Sequence, residues 1–110
     1  MIPLADCKPR WLYYVPCRNF SLGVFHEEEK GFIGLREKFG SVFLSTEYHW
    51  DTGAPYGTAV PIEALEPIPD DMELSEGSTA LREWMFAAVD RHLESLKEKD
   101  KAYYDETLAR

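Results

Sequence analysis

Phe32-Ile33-Gly34-Leu35-Arg36-Glu37-Lys38-Phe39-Gly40-Ser41-Val42-Phe43-Leu44-Ser45-Thr46-Glu47-Tyr48-His49-Trp50 decides the fold. Apolar and polar residues alternate through it, which is the period of a strand and not of a helix. Residues 32–39 set Ile33, Leu35 and Phe39 on one side, with Phe32 and Arg36 on the other. Gly40-Ser41 supplies a tight connection. Residues 42–50 then set Val42, Leu44, Thr46, Tyr48 and Trp50 on one face, and Phe43, Ser45, Glu47 and His49 on the other. So short a connection joins antiparallel neighbours.

The pattern extends upstream. Trp11, Tyr13 and Val15 share a face of residues 11–15, which follow Pro9-Arg10 and end at Pro16. Residues 20–26 bring Phe20, Leu22, Val24 and His26 together, and Glu27-Glu28-Glu29-Lys30-Gly31 reads as a charged turn. Residues 11–50 therefore predict a four-stranded meander. Residues 58–60 and 62–65 predict a fifth strand interrupted by Pro61, and proline is tolerated at a sheet edge, not at its centre.

Beyond the sheet the composition shifts. Residues 63–77 hold Glu63, Glu66, Asp70, Asp71, Glu73 and Glu76 with Pro67 and Pro69 and no basic residue. They predict an extended acidic linker. Ser78 or Thr79 is the expected N-cap of a helix, because a short side-chain oxygen there can accept from a free first-turn N–H. Leu81, Met85, Ala88, Val89, His92 and Leu96 recur at helical steps, and Trp84 widens the stripe. Tyr103, Tyr104 and Leu108 either continue that helix or belong to a second one capped by Asp100. The expectation is a single domain over 1–110: sheet in 11–65, acidic linker in 63–77, helical region in 78–110. Strands first and helix last make it α+β, with the helix across one face of an antiparallel sheet of about five strands. The other face is then solvated or used for assembly.

Composition narrows the function. Hydrophobic residues are 45% of 110, enough for a core. The net charge is −8, and it is uneven. Residues 1–60 carry six Lys/Arg against seven Asp/Glu, whereas 61–110 carry six against thirteen. Such a surface repels a phosphate backbone and steers basic proteins towards itself. Cys7 and Cys17 fit no zinc or CxxC spacing, and the first residues are too short and interrupted for a secretory leader. No stretch is long and apolar enough for a membrane span. These features predict a cytoplasmic protein with two free thiols.

The richest functional address is the loop after residue 47. Tyr48, His49, Trp50, Asp51 and Tyr56 lie there among Gly53, Pro55, Gly57 and Pro61. Aromatics on an irregular loop either plug the end of a core or wait for a partner, and the sequence leaves both open. His49 and Asp51 are the one candidate acid–base pair, with His49 pointing to solvent if the strand persists. His26, His49 and His92 are in no metal-ligand spacing, and no phosphate loop or GxSxG is present. No metal, cofactor or catalytic residue is assigned.

Asp51-Thr52-Gly53-Ala54 resembles the DTGA of retroviral-type aspartic proteases, which work as dimers of small β-rich chains. The likeness covers four residues. That family sets apolar residues before its aspartate where His49 and Trp50 stand here, and it has a late apolar-apolar-Gly segment where this chain has the acidic linker and helix. Apart from that likeness, Asp51-Thr52-Gly53 reads as an Asx-type turn. In composition the chain is similar to small phage-borne inhibitors of host defence, anti-CRISPRs among them. With the uneven acidic charge, the expectation is a protein partner with a basic surface and no direct contact with nucleic acid. The expected binding residues are Tyr48, His49, Trp50, Asp51 and Tyr56 in the loop, and Glu66, Asp70, Asp71, Glu73 and Glu76 in the linker. Two rival readings are a small enzyme or ligand-binding domain centred on the 48–57 loop, and a structural protein that self-associates, as a homodimer or further, through its second sheet face or C-terminal helix.

Overall fold

The computed structural model describes residues 1–55 and 57–108. Five strands form one antiparallel sheet: β1 (Trp11–Tyr14), β2 (Leu22–His26), β3 (Gly31–Lys38), β4 (Ser41–Tyr48) and β5 (Glu63–Pro67). Their order is β4-β3-β2-β1-β5. The first four make the expected meander, and the fifth returns to pair with β1. One helix, α1 (Thr79–Leu108), follows. The chain is α+β, and α1 runs unbroken where a second helix was the alternative.

Alternation assigns the faces. Leu12, Tyr14, Leu22, Val24, Ile33 and Leu44 join Leu81, Met85, Ala88 and Leu96 of α1 in one buried cluster. Side chains one position out of phase, Tyr13, Phe25 and Phe32, point the other way. Ser78 is the N-cap, its hydroxyl accepting from Leu81 N–H at 3.1 Å.

Five expectations need correction. The β3–β4 turn is Phe39-Gly40, not Gly40-Ser41, since Lys38 pairs with Ser41. Both turn residues have positive φ, 52° and 78°, the backbone that a two-residue hairpin prefers. Phe39 therefore leaves the strand and stands 95% exposed. Phe20 precedes β2 in a loop, and its ring packs with the second cluster, over Gly34. A Cβ on Gly34 would lie 2.7 Å from that ring and 2.4 Å from Leu22 O, so only glycine fits.

The fifth strand starts at Glu63 rather than at 58, because Ala59 instead bridges in parallel to His49. Residues 63–67 thus belong to the sheet edge, and the acidic connection shrinks to 68–77. Nor is that connection simply extended. Ile68 is buried, Met72 and Leu74 pack on the core, and Met72 N–H turns back to Pro69 O.

The largest correction concerns the second face of the sheet, which is covered by the chain itself. Tyr13, Val15, Phe25 and Phe32 are buried there with Cys7 and Ala59, flanked by Ile2, Leu4, Trp11 and Cys17. Residues 1–9 lie over this face and are stitched down at Ile2 N–H to Pro61 O (2.8 Å) and Lys8 N–H to Tyr13 Oη (2.7 Å). Two small cores therefore sandwich the sheet.

Candidate functional site

The loop after β4 begins with His49, which is fully buried. Its Nδ1 accepts from Asp51 N–H at 3.0 Å, and its Nε2 lies 2.9 Å from Ile2 O. Together these contacts set the tautomer: Nδ1 carries no proton, and Nε2–H donates to Ile2. The ring stacks on Trp50 at 4.0 Å and faces Phe32 at 6.3 Å. The expectation of a solvent-facing His49 is overturned, because the turn at Trp50–Thr52 ends the strand and the second face is covered.

The same turn disposes of the acid–base pair and the Asx turn. His49 binds the main chain of Asp51, not its carboxylate. The turn is held by Thr52 instead, whose hydroxyl donates to His49 O (2.9 Å) and accepts from Ala54 N–H (3.2 Å). The Asp51 carboxylate is exposed and lies 3.4 Å from Leu4 N, close to the N-terminal cover. Trp50 is half-buried and Tyr48 partly exposed. Tyr56 lies outside the described residues.

The acidic residues separate into two groups. Glu66, on β5, is committed to α1: Arg91 Nη2 is 2.9 Å from Oε1 and His92 Nε2 is 2.6 Å from Oε2. Partial burial alone would raise the Glu66 pKa, but the bonds from His92 and Arg91 outweigh it and hold it below the usual range. Glu66 is therefore a clamp between edge strand and helix. Glu76 accepts from the Thr46 hydroxyl at 2.5 Å. Asp70, Asp71 and Glu73 are exposed and enter none of the salt bridges among the described residues.

What holds the second group in place is Arg10. Its Nη2 donates to the carbonyls of Pro69 (2.7 Å), Asp70 (3.2 Å) and Met72 (2.8 Å). One guanidinium thus fixes the main chain between buried Ile68 and half-buried Leu74 while the carboxylates face solvent. Arg10 itself sits at φ 65°, a conformation unusual outside glycine. No motif marks it: a single arginine before a strand carries no sequence signal, and its contacts are about sixty residues away.

Elsewhere, Asp100 takes hydrogen bonds from Tyr14 Oη (2.8 Å) and Ser21 Oγ (3.2 Å) at the rim of an open cleft of about 260 Å³. Leu35, Met85, Val89, Leu93 and Leu96 line it. Both cysteines are free. Burial, with the nearby Asp6 and Asp51 charges, pushes the Cys7 thiol up to about 11, and burial raises Cys17. Among the described residues no His, Cys, Asp and Glu converge as a metal site, and no helix is long and apolar enough to cross a membrane.

No protein-family model, no curated protein and no solved structure matches the chain.

Proposed function

We propose that this protein is a non-catalytic binder of another protein, and that it docks a basic surface on the acidic segment 70–73. The observation that supports this most is the Arg10 anchor. Three main-chain carbonyls are held by one guanidinium, so Asp70, Asp71 and Glu73 are displayed on a backbone that is already ordered. A pre-ordered segment loses little entropy on binding. Unpaired carboxylates on it steer a cationic partner at long range. The partner's basic residues are of the kind that otherwise meet nucleic acid, as in inhibitors of nucleic-acid-handling complexes of the phage anti-defence kind. The unbridged thiols agree with a cytoplasmic site of action.

The aromatic loop plays a smaller part in this proposal than its composition promised. His49 and Trp50 stack against the second core, and Tyr48 offers a partly exposed ring. Recovery of a basic protein on the immobilised chain, lost when Asp70, Asp71 and Glu73 are neutralised, is the experiment that tests the proposal.

A further inference from the structure

The sheet has two edges, and they are built differently. The β5 edge is short, carries a register shift against β1 and ends at Pro67. Natural edges are blunted by such devices. The β4 edge runs eight residues in unbroken register with β3 and contains no proline or lysine.

The register shows which main-chain groups face outward. In an antiparallel ladder with a two-residue turn, Lys38 and Ser41 exchange bonds, and every second pair does the same. Val42, Leu44, Thr46 and Tyr48 then point their N–H and C=O groups away from β3. Two contacts agree: Arg82 donates to Val42 O at 3.2 and 3.3 Å, and Ala59 N–H to Tyr48 O at 3.0 Å. The open stretch is thus 42–46, with Leu44 at its centre.

We propose that this edge pairs with β4 of a second copy, antiparallel about Leu44, to make one continuous sheet across two chains. The argument for a second copy is self-complementarity. A two-fold axis at Leu44 sets Val42 opposite Thr46 of the other chain. On the helix side of the sheet, Arg82 is held at Val42 and Glu76 at Thr46. The axis therefore brings Arg82 of each chain to Glu76 of the other, twice. Arg82 gives the Val42 carbonyl two long bonds, 3.2 and 3.3 Å, and pairing exchanges one of them for the partner's Thr46 N–H as the guanidinium turns to Glu76.

The same axis explains the most exposed apolar residue of the hairpin. Phe39 projects from a turn whose backbone glycine would adopt at less cost, and it stands 95% exposed with the Lys38 ammonium 5.5 Å from its ring centroid. In the pair it reaches the far end of the partner's β4, where Tyr48 is 38% exposed.

Sedimentation velocity of the full chain over a range of concentrations tests the pairing. The expected species at about 100 μM has twice the 12.7 kDa chain mass, since even a micromolar dissociation constant populates it there. Arg82→Glu or Glu76→Arg alone should weaken the pair about tenfold or more by setting like charges together, and the double exchange should restore it. Both residues are exposed, so folding of each variant is checked by its melting curve. Leu44 and Thr46 amides should gain hydrogen-exchange protection as concentration rises. A single 12.7 kDa species throughout, a dimer indifferent to all three variants, or concentration-independent exchange at Leu44 and Thr46 would each overturn the proposal.

Discussion

Arg10 Nη2 lies 2.8 Å from the carbonyl oxygen of Met72, sixty-two residues further along the chain. That bond, with those to Pro69 and Asp70, ties the start of β1 to the segment leading into α1. Arg10→Ala should cost about 1–3 kcal/mol, the usual worth of hydrogen bonds to a charged group. Arg10→Gly loses the same bonds but relieves the positive φ, so it should be about 1 kcal/mol more stable than the alanine variant. Urea unfolding of the two side by side checks this. Equal stability of Arg10→Ala and wild type would remove the anchor from the account.

His49 fastens the N-terminal cover to the loop after β4 through Ile2 O and Asp51 N–H. His49→Phe keeps an aromatic ring beside Trp50 but leaves Ile2 O and Asp51 N–H without their partner. Unmet polar groups at a buried site make about 2 kcal/mol or more of destabilisation the expected result. The denaturation midpoint should fall with little change in slope. A variant as stable as wild type would show that the ring, and not its hydrogen bonds, holds the cover down.

Strand phase was legible because alternation is local: Leu12 and Tyr13 are neighbours that face opposite cores, and each is buried as its parity requires. The helix stripe and the Ser78 cap were legible for the same reason. The second core was not. Its cover comes from residues 1–9 and from His49 and Ala59, which lie on short irregular stretches without period, and the bond that closes it joins residues 47 apart. Glu66 falls in the linker by sequence because the predicted fifth strand stops at residue 65, where acids with Pro67 and Pro69 take over, whereas proline's missing N–H is harmless on the outer strand. Glu66, Asp70, Asp71, Glu73 and Glu76 together imply exposure, because five unpaired carboxylates cannot be buried side by side; four are exposed, and Glu66 is half-buried in its clamp. That a distant arginine orders Asp70, Asp71 and Glu73 has no local signature.

Glu66 makes stability pH-dependent with a definite sign. Its carboxyl sits below the ordinary value of 4.5, so the unfolded chain binds more protons than the folded one across that titration. The contribution is complete above the unfolded-state value and is lost as pH falls through the folded one. Glu66→Gln should therefore cost roughly 1 kcal/mol at neutral pH, modest because the group is partly exposed, and flatten the loss of stability between about pH 5 and pH 3. An acid limb of unchanged steepness in the variant, measured by melts across that range, would contradict the clamp.

Cys7 should be a poor nucleophile while the protein is folded. Its thiol is pushed up to about 11 and is buried where the N-terminal cover meets the sheet, so almost none is thiolate at neutral pH. Labelling by iodoacetamide, followed by mass spectrometry, should be slow in buffer and rapid in denaturant. Rapid labelling of folded protein would mean that residues 1–9 lift readily from the sheet.

The central claim is that a pinned, unpaired acidic segment docks a basic protein. Attraction between exposed charges is screened over a Debye length of about 8 Å at physiological ionic strength. The decisive measurement is the association rate with the basic partner recovered by pull-down, at low and high salt, for wild type and for Asp70→Asn/Asp71→Asn/Glu73→Gln. The account predicts fast, salt-sensitive association for wild type, and slower association with a flattened salt dependence for the triple variant. Identical rates and salt dependence in the two proteins, or recovery of no basic partner at all, would contradict it.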